Sequence, residues 1–235
     1  MGNWGLSTYL TNKSELISGI KAELPILIGV IPFGLIYGVM ALAVGMPAST
    51  AQAMSAIVFA GSSQFVSTQL IKGDAPVFVI LMTVAIVNLR HALYSASLAP
   101  FLKPLKPAWK WALAYLLTDE AYAVSIVHYN QDGENQNKHW FFLGAGLALW
   151  MTWQLSTAAG LLLGAVVPSS WSLDFTLTLT FLALMVPTIR ERASFAAAIS
   201  AGVVAVLLVN LPYRLGLVIA TLVGILVGSI VESKS

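Results

Sequence analysis

The sequence predicts an all-α fold: a polytopic bundle of transmembrane helices forming a single domain of 235 residues. Two observations carry this. Hydrophobic residues make up 58% of the chain and charged residues only 9%, whereas a soluble domain carries roughly 25% charge, so the polar side chains needed to coat a globule are missing. Mean hydropathy is +0.83, and apolar runs of about 20 residues, enough to cross the hydrocarbon layer, recur along the whole chain.

Residues 1–23 contain Trp4 and Tyr9 but no continuous apolar stretch. They read as a short cytosolic or interfacial lead-in, with Lys13 and Lys21 towards the cytosol, and not as a cleaved signal. Eight candidate spans follow, at 24–44, 49–71, 75–99, 109–128, 140–165, 172–189, 193–210 and 212–231. Only Asn210-Leu211-Pro212 divides the last two, so seven is the alternative count. Pro25, Pro32 and Gly34 predict a kinked first helix. The second span is polar at its centre, Gly61-Ser62-Ser63-Gln64, which predicts a broken or re-entrant helix. Trp109, Trp111, Trp140 and Trp171 mark segment ends, where interfacial indoles belong, while Trp150 and Trp153 fall near the middle of the fifth span. Gly34/Gly38, Gly160/Gly164 and Gly224/Gly228 are small-xxx-small pairs that let helices approach closely.

Val44-Gly45-Met46-Pro47 and Ala165-Val166-Val167-Pro168 each follow a Gly-rich helix, and Asn88-Leu89 and Asn210-Leu211 recur at nearly the same offset. The pattern suggests an internal repeat, as in many transporters built from duplicated halves. With a cytosolic N-terminus, the inside would hold Lys13, Lys21, Lys72, Lys138, Arg190, Arg192 and Lys234, and the outside Lys103, Lys106, Lys110 and Arg214. Seven against four follows the positive-inside tendency only weakly, because the lysines after Pro100 argue against it; if one early segment does not cross, that loop turns cytosolic.

Several functions are disfavoured. The net charge of +2 includes no basic run suited to nucleic acid. Cysteine is absent, and His91, His128 and His139 lack ligand spacing, so neither a metal nor another cofactor is expected. No phosphate-binding G-x-x-x-x-G-K-[ST] occurs and no polar insertion is long enough to fold alone, so transport would be passive or driven by an ion gradient. An enzyme is not expected either: Asp119 and Glu120 diverge on a helix, and no H-E-x-x-H accompanies them.

What remains is charge within the membrane. Arg90-His91 and Asp119-Glu120 interrupt apolar runs, and intramembrane charge is costly enough to mark function. Taking the third and fourth spans as a hairpin turning near Lys103-Pro104, Arg90 and Asp119 each lie about 20 Å from the turn at the helical rise. At that matching depth a guanidinium and a carboxylate can pair. Arg90 also offers a fork of donors to a substrate carboxylate. His91, Asp119 and Glu120 are the candidate proton carriers. Ala60-Gly61-Ser62-Ser63-Gln64-Phe65 forms a second candidate region, where an opened helix can bind the ends of a zwitterion. Asn88, close to Arg90 on the same helix, would complete the polar pocket.

These blocks resemble a known family. Pro32-Phe33-Gly34-Leu35-Ile36-Tyr37-Gly38, Ala60-Gly61-Ser62-Ser63-Gln64-Phe65, Asn88-Leu89-Arg90-His91-Ala92-Leu93-Tyr94 and Leu117-Thr118-Asp119-Glu120-Ala121-Tyr122-Ala123 are similar, in order and spacing, to the AzlC/YgaZ family. The resemblance spans nearly the whole chain and is looser after Trp140. It implies the large subunit of a bacterial branched-chain amino acid exporter in the inner membrane, working with a small hydrophobic partner of the AzlD/YgaH type. The implied substrates are leucine, isoleucine, valine, analogues such as azaleucine, and methionine in some members. Where some relatives carry aspartate this chain has Asn88, which removes one candidate proton carrier.

An aliphatic amino acid needs an apolar pocket and ligands for a carboxylate and an ammonium. The expected site gives the carboxylate to Arg90 and the ammonium to Asp119 or Glu120. Ser62, Ser63, Gln64 and Asn88 supply the remaining polar contacts, and Phe65, Trp150 and Trp153 the apolar lining. Export would proceed by alternating access, coupled to the proton gradient. The same residues would suit an uptake permease, since flux direction follows the gradients, and a non-transporting assembly subunit is the other alternative.

Overall fold

The computed structural model describes residues 12–131, 137–165, 189, 191–211 and 215–233. Among these the chain is all helical. The helices are α1 (Asn12–Ala43), α2 (Ala48–Ile57), α3 (Gly61–Lys72), α4 (Val77–Leu102), α5 (Pro107–Tyr115), α6 (Asp119–Gln131), α7 (Lys138–Gly164), α8 (Arg192–Leu207) and α9 (Leu215–Glu232). By length and apolarity α1, α4, α7 and α9 can each cross a membrane, and α8 is a shorter apolar helix. The predicted sixth span, 172–189, lies almost wholly outside the described residues.

The chain forms two compact units, Met1–Phe65 with Ile86–Val166, and Val66–Ala85 with Val167–Ser235. In the first unit α1 and α7 are the central pair, and they run parallel. Leu16 lies against Gly144, Leu35 against Gly160, and Val39 against Gly164. The seam is built from residues without side chains. A Cβ at Gly38 would stand 2.6 Å from the Leu161 nitrogen and 2.8 Å from the Gly160 carbonyl carbon. With lipid tails as apolar as leucine, such close backbone approach is what holds membrane helices together. The pairs Gly34/Gly38 and Gly160/Gly164 therefore do what their spacing predicts. In the second unit Gly224 plays the same part, where a Cβ would meet that of Ala201 at 2.9 Å.

α1 begins at Asn12, so its first turns occupy part of the stretch read as a lead-in. The buried residues Glu15, Gly19, Glu23, Val30, Gly34, Tyr37 and Ala41 form one face of this helix. Its two acids break the apolar run in the sequence while lying on the packed face of the bundle. Pro25 and Pro32 are accommodated inside α1.

The second predicted span is interrupted at 58–60, as its Gly/Ser content suggested. Tyr37 Oη donates to the Ala51 carbonyl at 3.0 Å, and the ring of Phe65 stands edge-on to Tyr37 at 6.2 Å. Residues on the two sides of the break thus reach the same level of α1. The chain enters along α2, turns at 58–60 and returns along α3.

The fourth predicted span is also two helices, with its turn at 116–118, where a single continuous helix was expected. Arg90 pairs with Asp119, Tyr94 stacks on Tyr122 at 4.6 Å, and Phe101 packs on Tyr129 at 5.3 Å. Numbers rise together, so α4 and α6 run parallel. That is possible only because α5 runs back along α4, with Lys110 Nζ donating to the Lys103 carbonyl at 2.9 Å. Leu98, Leu113, Leu116, Leu117, Ala121 and Phe142 seal this hairpin into the bundle. Thr118, just before α6, accepts from the Ala121 amide at 3.2 Å, and Asp119 and Glu120 occupy the first turn. A hydroxyl cap followed by acids is a stable helix start, which is why the helix restarts there.

Candidate functional site

The inner ends of the two hairpins meet. Tyr115, the last residue of α5, donates to the carbonyl of Ala56 near the end of α2 and accepts from Trp150 Nε1 at 2.7 Å. Phe59 packs on the Tyr115 ring at 6.3 Å. α3 and α6 therefore both start from this level, each presenting first-turn amides with no intrahelical partner and the positive end of its dipole.

Arg90 lies between these two starts. Its Nη1 pairs with Asp119 Oδ2, and its Nη2 donates to Ser62 Oγ at 2.6 Å. Its Nε is enclosed and makes no hydrogen bond to protein. The side chains of Arg90 and Asp119 retain 31% and 41% of their exposure, so this is an open pair and not a sealed one. Beside it Ser63 Oγ donates to Asn88 Oδ1 at 2.7 Å. Glu120 is half-buried in the first turn of α6.

A buried aromatic group backs the first turn of α3. Gln64 Oε1 accepts from Trp153 Nε1 at 3.0 Å, and Trp153 stacks on Tyr37 with ring centroids 6.4 Å apart. Phe65 stands edge-on to both Phe33 and Tyr37. Gly61 lets the indole come this close, since a Cβ there would lie 2.8 Å from the Trp153 ring. Deeper in the seam, Gln52 Nε2 donates to Gln154 Oε1 at 2.8 Å, and the Ser55 and Thr157 hydroxyls lie 3.1 Å apart.

Of the residues expected at the site, Ser62, Arg90 and Asp119 are joined directly, while Ser63 with Asn88 and Gln64 with Phe65 and Trp153 form the flanking groups. His91 turns elsewhere. Its Nδ1 lies 3.1 Å from the Asn88 carbonyl oxygen, and its ring stands edge-on to Tyr94 at 6.0 Å. Trp150 braces Tyr115. One participant was missed: Tyr115, whose contact with Ala56 nothing local announces. A crevice of about 340 Å³ between α4 and α5, lined by Leu98, Leu102, Leu113 and Leu117 among others, includes none of the expected site residues.

The geometry agrees with sequence comparison. A family model described as AzlC protein matches residues 25–167, which is more than half of the chain and includes every residue of the cluster around Arg90. The chain belongs to the AzlC family. It is similar to the inner membrane protein YgaZ of Escherichia coli (strain K12), 27% identical over 224 residues covering 92% of this chain and 89% of the relative. A membrane protein of Archaeoglobus fulgidus is 31% identical, covering 92% of this chain and 94% of its own length. The branched-chain amino acid transport protein AzlC of Bacillus subtilis (strain 168) is 24% identical over 198 residues, 82% of this chain and 77% of that protein. No solved structure matches the chain. It is thus a membrane protein of a family that includes a branched-chain amino acid transport protein.

Proposed function

We propose that this protein is a secondary transporter exporting branched-chain or similar apolar amino acids, namely leucine, isoleucine, valine and methionine, across the bacterial inner membrane. Export is coupled to the proton gradient, and the chain works with a small hydrophobic membrane subunit of the AzlD/YgaH type. The observation that carries this reading is the position of Arg90, held between Ser62 at the start of α3 and Asp119 at the start of α6. Broken helices that aim their positive ends at an anionic substrate group are the usual device of membrane transporters.

The charge pattern suits a zwitterion. A guanidinium and two helix starts favour a carboxylate, and Asp119 and Glu120 favour an ammonium. Ser62, Ser63 and Asn88 offer further polar atoms, while Phe65 and Trp153 supply apolar surface for an aliphatic side chain. Binding a substrate in place of the Arg90–Asp119 pair would loosen the tie between the two hairpins, which couples occupancy to their movement. The name of the Bacillus subtilis relative supports the substrate class.

The test is counterflow of radiolabelled leucine, valine and methionine in vesicles containing the protein and its partner, with and without a pH difference. The proposal expects leucine counterflow, and net flux that responds to the pH difference. Vesicles that move none of the three would overturn it.

A further inference from the structure

Glu23 is fully buried on α1, and neither of its carboxylate oxygens has a hydrogen-bond partner among the described residues. The other buried acid of α1, Glu15, lies 3.0 Å from His128 Nε2 on α6. That contact fixes the register of two antiparallel helices. Eight residues up α1 from Glu15 is Glu23, and eight residues down α6 from His128 is Glu120, each step about 12 Å at the helical rise. Glu23 therefore lies level with the first turn of α6, and the charge of Glu120 acts on it. α7 gives the same level: the α1–α7 seam places Glu23 between Gly19, which meets Phe141, and Gly34, which meets Trp153, and Leu116 at the hairpin turn lies against Gly146.

Among the described residues, no cation of the surrounding helices answers this carboxyl. α7 carries no ionisable side chain between Trp140 and Gly164, and α2 carries none at all. On α6, Glu120 is another acid, Asp119 is taken by Arg90, and His128 lies beside Glu15. Lys21 on α1 is exposed. An isolated carboxylate withdrawn from water is strongly disfavoured and takes up a proton or a cation instead.

We infer that Glu23 carries the coupling proton while the substrate site is empty. This rests on the transport reading above and deepens it. When the substrate ammonium arrives at Asp119 and Glu120, a cation stands among the acids and the proton is no longer needed there. The O–H bond of the carboxyl breaks, its electron pair stays on the carboxylate, and the proton passes to water on the side to which the site is open. Substrate and proton thus occupy the acids in turn, which is the exchange that export against an inward proton gradient requires.

The test compares wild type and Glu23→Gln in vesicles and in detergent. In weakly buffered detergent solution with an indicator dye, leucine should release a proton from the wild type and none from the variant. In vesicles, pH-driven leucine movement should fall at least roughly tenfold in Glu23→Gln, a loss of about 1.4 kcal/mol of coupling, while counterflow persists. Proton release and pH drive both surviving in the variant would overturn the inference. Loss of counterflow in a variant that is folded and in the membrane would also overturn it, assigning Glu23 to substrate binding. Should Glu23→Gln fail to fold, Glu23→Asp takes its place, with a shifted pH midpoint of transport expected and an unchanged midpoint contradicting the inference. Wild-type vesicles that show no amino acid counterflow would instead remove the transport reading itself.

Discussion

Tyr115 donates its hydroxyl to the carbonyl of Ala56, so the inner end of one hairpin satisfies a backbone group freed at the inner end of the other. In a membrane such a carbonyl has no water to turn to, and non-helical backbone persists only where protein or a wet cavity satisfies it. The phenol is thus a tie between two elements that enter the bundle from different ends.

Tyr115→Phe removes that tie and the acceptor for Trp150. The expected cost is about 0.5–1.5 kcal/mol. It should appear as faster amide hydrogen exchange at 56–60 and a lower leucine counterflow rate, with α1 and α7 unaffected.

Trp153→Phe keeps the ring stacked near Tyr37 but takes the N–H from Gln64. Thermal stability should fall by about 1 kcal/mol, the net worth of the lost hydrogen bond, and leucine affinity should weaken as the first turn of α3 loosens. Substrate titration against intrinsic fluorescence or counterflow reads the difference.

Gly160→Val tests the seam instead of the site. A Cβ at Gly160 would run into the Leu35 backbone, and overpacking of this kind costs about 1–3 kcal/mol or more. The melting temperature in detergent should drop clearly, and activity should be lost through folding. Gly29→Ala, at a position where a Cβ meets nothing within 4 Å, should leave stability nearly unchanged.

The pairing of Arg90 with Asp119 was legible because both are charged and both interrupt apolar runs, although the continuous antiparallel hairpin assumed for it is replaced by parallel α4 and α6. The break at 58–60 was legible because Gly61, Ser62 and Ser63 are poor residues for an unbroken span. The break at 116–118 was not, since Leu116 and Leu117 read as ordinary lipid-facing residues. Its only signal was Thr118-Asp119-Glu120, a helix-start pattern that was read for charge alone. Glu23 escaped for the opposite reason. Two lysines and two acids made the stretch before Pro25 look too polar for a span, yet the acids lie inward and Lys13 and Lys21 outward. Periodicity around α1, and not average hydropathy, separates the two cases.

Arg90 is the residue on which the account turns, and leucine counterflow by Arg90→Gln beside the wild type, at equal protein in the same vesicles, tests it most directly. Removing a hydrogen-bonding partner of a charged group costs about 1.5–3 kcal/mol. Counterflow should accordingly fall by at least about tenfold with the protein still folded in the membrane. Counterflow equal to that of the wild type would contradict the account, because no substrate could then be bound where the two hairpins meet.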